Sequence, residues 1–245
     1  MKKKLRQRIW LSMIALWAIL IIACAVYVND YYHADKTALG ALVSSENVKV
    51  TSLENMVTFV PEDPVAGFIF YPGGKVEYTA YAPLLHELAK ENILCILVEM
   101  PFHLAVLDMN AADGIPAQYP EVNRWYIGGH SLGGSMAASH VSDNIPIYDG
   151  LVLLASYSTA DISSTDLQVI SIYGTEDQVL NSQKYTEYYR NLPSTTEEIV
   201  IEGGCHAYFG NYGAQDGDGI PAITAHEQIQ ITVKYLSQFF RKEQS

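Results

Sequence analysis

The stretch "YIGGHSLGGSMAASH", Tyr126–His140, sets Ser131 among four glycines, between an apolar run and a run of small residues. Glycine has the most backbone freedom to lose, so this density weakens strand and helix alike. A sharp turn accounts for it. Gly129-His130-Ser131-Leu132-Gly133 has the pattern G-x-S-x-G, in which a strained strand-to-helix turn lifts a serine hydroxyl clear of the backbone. Gly129 and Gly133 leave room for that turn, and Gly134 lets the following helix approach the sheet. The amides at the helix start favour a developing anion. The competing reading, a phosphate cradle, lacks the lysine of a P-loop.

A serine hydroxyl is a poor nucleophile alone and needs a base, itself oriented by an acid. In this pattern both follow the serine, in the order acid then His. "QVISIYGTEDQV" ends a strand and turns into Glu176-Asp177, while "EEIVIEGGCHAYFG" ends another and frees His206 behind Gly203 and Gly204. His206 is the candidate base. Asp177 is the candidate acid, with Glu176 second and Asp161, after an earlier strand, third. Of the other histidines, His86 and His226 lie in helical patterns, His33 near the N-terminus and His140 late in the elbow helix. His103 comes too early in the chain, and the His130 side chain is expected to point away from Ser131. An oxyanion needs two backbone donors. The Leu132 amide is one; the loop "YPGGK" offers Gly74 as the other, with Lys75 second.

These residues need elements to hold them. Apolar runs at Met56–Val60, Ala66–Tyr71, Ile93–Met100, Trp125–Gly129, Leu151–Ser156, Gln168–Gly174 and Glu197–Gly203 read as strands, several covered on both faces. Helical patterns lie between them: Tyr81 to Leu88, Leu132 to Val141, Ser182 to Asn191, and a last helix behind a Thr224/Glu227 capping box. Strand alternating with helix predicts a mostly parallel sheet with helices on both faces. Only Tyr157 to Leu167 separates two late strands, so no large lid domain fits there. The expected cover is instead the loop Ala207–Ile223, with Glu99, Phe102 and His103 as further lining. "DGDG" in that loop lacks the regular spacing of a calcium loop.

The N-terminus is a separate object. Ile9–Val28 is twenty residues without a charge, preceded by Lys2, Lys3, Lys4, Arg6 and Arg8. That length crosses a hydrocarbon core, and the cations hold the first residues in the cytoplasm with the body outside. An uncleaved anchor over residues 1–28 is the reading preferred, because the apolar run continues past Cys24. A cleaved signal sequence at "ACA" and a lipoprotein site at "IIAC" compete with it. Residues 29–48 then read as a stalk, linker or first surface turn, and 49–245 as the folded body. Residues 9–245 carry ten basic and 27 acidic side chains, a net of −17. Such a body repels nucleic acid and anionic lipid. Cys24, Cys95 and Cys205 imply no disulfide framework.

The strand order, "GGHSLGG", "YGTED" and "GGCHAYFG" together resemble the α/β-hydrolase fold, over roughly residues 48–242. Within it they are similar to the small dienelactone-hydrolase-like bacterial hydrolases. The resemblance implies ester or related acyl hydrolysis by a Ser-His-Asp triad without a cofactor or metal, on a small-molecule acyl ester. Dienelactone hydrolases use cysteine where position 131 is serine, and "YPGG" replaces the usual "HG" loop. Acyl transfer by the same triad and a non-catalytic surface-binding domain are the alternative functions. The expected location is the bacterial cell surface.

Overall fold

The computed structural model, which describes residues 2–242, divides into two units between Tyr31 and Tyr32. The first is one helix, α1 (Lys2–Asn29), whose segment Lys3–Asn29 is long and apolar enough to cross a membrane.

The second unit is built on eight strands: β1 (Val48–Ser52), β2 (Met56–Pro61), β3 (Ala66–Tyr71), β4 (Ile93–Val98), β5 (Trp125–His130), β6 (Gly150–Leu154), β7 (Gln168–Gly174) and β8 (Glu197–Ile201). They form one sheet in the order β1-β2-β4-β3-β5-β6-β7-β8. β2 runs antiparallel to β1 and β4, and every other pair is parallel. All residues of β3, β4, β5 and β6 are buried, as strands with a layer on each face must be. Side-chain alternation divides the core. Phe68 and Phe70 of β3 pack with Leu84 and Leu85 of α3 (Ala82–Lys90) and with Phe239 and Phe240 of α6 (Ala225–Phe240). Ile69 and Tyr71 face the other way, toward Ala137, Ala138 and Val141 of α4 (Leu132–Asp143). The Thr224/Glu227 capping box starts α6 as the sequence predicts.

The structure departs from expectation at three places. Residues 32–45 are not a stalk. The Tyr32 amide donates to Lys75 O at 2.8 Å and its carbonyl accepts from the Glu77 amide at 2.8 Å. Its ring lies 5.6 Å from that of Tyr212, and Asp35 caps the short helix α2 (Lys36–Gly40), which buries Ala38. Polar composition concealed a segment bound through its backbone and a few aromatic contacts. β1 lies outside the apolar runs of the sequence, because "VKVTS" is a short edge strand with only Val48 fully buried. The predicted helix to Asn191 is α5 (Ser182–Tyr188) followed by a turn of 3₁₀-helix. Residues 155–167, between β6 and β7, contain no strand or helix.

Candidate active site

From β3 the chain passes to β4 on one side, then returns to place β5 on the other side of β3. The carboxyl ends of β3 and β5 thus flank a topological switch point, where such sheets open a crevice. Tyr71, the last residue of β3, pairs with Gly129. The "YPGGK" loop and the serine turn therefore leave the sheet side by side.

Ser131 alone joins β5 to α4, at φ 51° and ψ −120°, a conformation that non-glycine residues adopt only when their surroundings impose it. Its amide donates to Leu154 O (2.9 Å), and its carbonyl accepts from Ser156 Oγ (2.7 Å). The glycines around it are explained by close approach, since none of them has a positive φ. A Cβ on Gly129 or Gly133 would collide with the Tyr71 carbonyl oxygen. On Gly134 it would lie 2.7 Å from both Gly129 O and Ser156 Oγ.

The candidate acid and base are brought together beyond the ends of β7 and β8. His206 Nδ1 lies 2.9 Å from Asp177 Oδ2, with the two side chains only 2% and 1% exposed. Asp177 Oδ1 accepts from the amides of Val179 (2.9 Å) and Leu180 (2.8 Å). This contact fits the tautomer in which Nδ1 donates to the carboxylate and Nε2 is the acceptor. No hydrogen-bond partner stands on Nε2 among the described residues. Glu176 instead accepts from Thr175 Oγ1 (3.2 Å), and the exposed Asp161 binds Ser163. Neither is bonded to His206.

Ser131 and His206 line one cavity of about 240 Å³, walled by Leu132, Ala155, Tyr157 and Leu180. Tyr157 is itself stacked on Tyr188, with ring centroids 5.5 Å apart. The expected cover does not line this cavity. Phe209 and Tyr212 of the Ala207–Ile223 loop are buried in the core instead, and Glu99, Phe102 and His103 lie outside the cavity wall.

In the "YPGGK" loop the Gly73 amide donates to Tyr81 Oη (3.1 Å) and the Lys75 amide to His103 O (2.8 Å). Gly74 lies against Leu132, where a Cβ would approach Leu132 Cδ2 to 3.0 Å. Its amide has no protein acceptor among the described residues. Tyr81 Oη also lies 2.8 Å from His130 Nδ1, so this tyrosine joins the loop to the residue before Ser131. The His130 ring lies 4.5 Å from that of His206 and 5.6 Å from that of Phe209. Burial first, then the neighbouring His206, holds its pKa well below the ordinary histidine value. Among the described residues, no three His, Cys, Asp or Glu side chains converge to hold a metal ion.

A model of the alpha/beta hydrolase family matches residues 67–230, about two-thirds of the sequence. The chain belongs to that family. No curated protein matches it in sequence. Solved structures share the fold. Carboxyl esterase 2 from the mycorrhizal fungus Tuber melanosporum superposes with a TM-score of 0.59 at 13% identity, covering 86% of this chain and 92% of that one. Dienelactone hydrolase from Anabaena variabilis gives 0.58 at 10% identity, covering 80% and 98%. A monoacylglycerol lipase from Paleococcus ferrophilus gives 0.56 at 10% identity, covering 78% and 99%.

In this α/β hydrolase, several residues around the site escape sequence reasoning. Tyr81 looks like one more apolar position of a helix start. Gln228 is fully buried on α6, where it accepts from the Cys205 amide (2.9 Å) and donates to the Cys205 carbonyl (2.8 Å). The available signal was a polar side chain on the apolar stripe of an amphipathic helix, one residue before Ile229. Asp218 is the third; its "GDG" context marks a turn without saying what the carboxylate binds.

Proposed function

We propose that this α/β hydrolase is a serine hydrolase that cleaves a small or medium acyl ester through an acyl-enzyme intermediate. One observation carries the reading: the His206 ring is bonded through Nδ1 to a buried carboxylate while lining the same cavity as Ser131. Ser131 Oγ attacks the ester carbonyl and His206 Nε2 takes its proton. Asp177 keeps the imidazole in the required tautomer and stabilises the imidazolium. The Leu132 and Gly74 amides receive the developing oxyanion. His206 then protonates the departing alcohol, and water repeats the sequence to release the acid. A cavity of about 240 Å³, with Leu132, Ala155, Val179 and Leu180 as its apolar wall, suits a compact acyl group.

Activity-based labelling with a fluorophosphonate, followed by a p-nitrophenyl ester panel of graded acyl length, tests this. Residues 30–245 should be labelled, and Ser131→Ala should lose labelling and lower kcat by at least ~10³-fold. An unchanged rate in that variant would overturn the assignment. The reading extends to location: α1 anchors the protein and leaves the body outside the cytoplasm. Protease treatment of intact protoplasts should release the body; recovery of all the protein in the cytosol would contradict the anchor.

A further inference from the structure

The loop between β8 and α6 contains a carboxylate that the mechanism above does not use. Asp218 Oδ1 accepts from the amides of Gln178 (3.3 Å), His206 (3.2 Å) and Gly219 (2.9 Å), and Oδ2 accepts from the Ala207 amide (2.9 Å). Two of these donors belong to His206 and the residue after it. A third belongs to the residue after Asp177. Three of the four thus come from the acid turn and the base segment.

We propose that Asp218 is a positioning residue that sets the Asp177–His206 hydrogen bond by clamping the main chain beside both partners. The proposal rests on the triad reading for its catalytic consequence. Its geometry does not depend on that reading. Neither partner sits on a strand: β7 ends at Gly174 and β8 at Ile201, so each is carried on irregular chain beyond its strand. The strands therefore bring the two segments near each other without fixing the 2.9 Å contact between the side chains. Asp218 supplies that constraint from a third segment. Hydrogen bonds to an ionised acceptor are stronger than neutral ones and hold their donors more tightly. The clamp is itself seated. A Cβ on Gly219 would collide with the Glu176 carbonyl, so this loop lies directly on the acid turn. The Ala222 amide donates to Gly203 O (2.8 Å), and the Asp216 amide to Tyr32 Oη (3.0 Å), pinning the loop on either side of Asp218. Cys205, next to the base, feels the same charge: burial and then Asp218 push its thiol up to about 12.

Asp218→Asn keeps the volume and lets Oδ1 retain its three donors. Its amide nitrogen then meets the Ala207 N–H, two donors facing each other. A displacement of about 1 Å at a reacting group costs as much as 10²-fold in rate. Asp218→Asn should therefore lower kcat about 10- to 100-fold with KM within about threefold of wild type. Asp218→Glu, which keeps the charge, should recover part of that loss and serves if the asparagine variant does not fold. Two readouts separate positioning from general support. The low-field proton resonance of His206 Nδ1–H reads the hydrogen bond directly, with no substrate; it should be present in wild type and in Ser131→Ala, and be lost or broadened in Asp218→Asn. In an Asp177→Asn background, Asp218→Asn should add less than about threefold, because the bond it positions is already broken. An unchanged resonance, or losses that multiply in the double variant, would overturn the proposal. Failure of the triad reading shows separately, as Ser131→Ala turning over esters normally, and the resonance still decides the role of Asp218.

Discussion

The serine turn and the base loop perform comparable tasks with opposite construction. Between β5 and α4 stands one residue, Ser131, held by backbone packed against backbone. Gly129 and Gly133 let the chain press on the Tyr71 carbonyl, so its geometry follows from the absence of side chains. Between β8 and α6 run the 23 residues from Glu202 to Thr224, and there side chains impose the order. Gln228 brackets Cys205, Asp218 clamps His206 and Ala207, and Phe209 and Tyr212 sink into the core. A short motif is thus rigid by local sterics. A long loop acquires comparable definition only from partners distant in the chain.

That contrast can be broken first at the acid. Asp177→Asn keeps the shape of the side chain but lets its amide hold the wrong imidazole tautomer, and kcat should fall about 10² to 10⁴-fold with little change in KM. Glu176→Gln, one residue away with its carboxylate on Thr175, should stay within about threefold. Steady-state kinetics on both variants checks this, and the reverse ranking would move the acid by one position.

Gly133→Ala probes the turn. Its methyl group would meet the carbonyls of Tyr71 and Pro72, neither of which can retreat without shifting β3. A loss of about 3 kcal/mol in urea unfolding is expected, at the upper end of overpacking costs. A variant as stable as wild type would show the turn to be looser than its packing implies.

The base loop should respond more mildly. Gln228→Leu leaves the buried amide and carbonyl of Cys205 unpaired, which costs about 2 kcal/mol. Because Cys205 precedes the base, kcat should fall together with stability in Gln228→Leu. In Gly133→Ala, stability should fail first. Equal loss of both properties in the two variants would erase the distinction between the regions.

What could be read in advance follows the same division. The serine turn, the seven main strands and the capping box of α6 are encoded within a few neighbouring residues, where glycine spacing and apolar runs have direct steric meaning. For the candidate acid the sequence ranks Asp177 ahead of Glu176 and Asp161, and the fold adds the contact itself: Asp177 meets His206, while Glu176 and Asp161 bind their own neighbours. Gly74 ranks ahead of Lys75 in the sequence, and the structure adds a reason that spacing could not supply: the Lys75 amide is taken by His103 O. Tyr32, read as part of a stalk, pairs its backbone with the loop that carries Gly74.

By itself the sequence determined the hydrolase-like order of serine, acid and histidine on an alternating strand–helix chain, and a helix apolar enough for a membrane. These are properties of local spacing and composition, and local sterics enforce them wherever the chain folds. The tertiary structure decided which carboxylate holds the histidine, which amide of the loop 73–75 is taken by His103 O, and which side chains wall the cavity. Each depends on the directions of hydrogen bonds between segments tens of residues apart, and such directions exist only once the sheet has set those segments side by side.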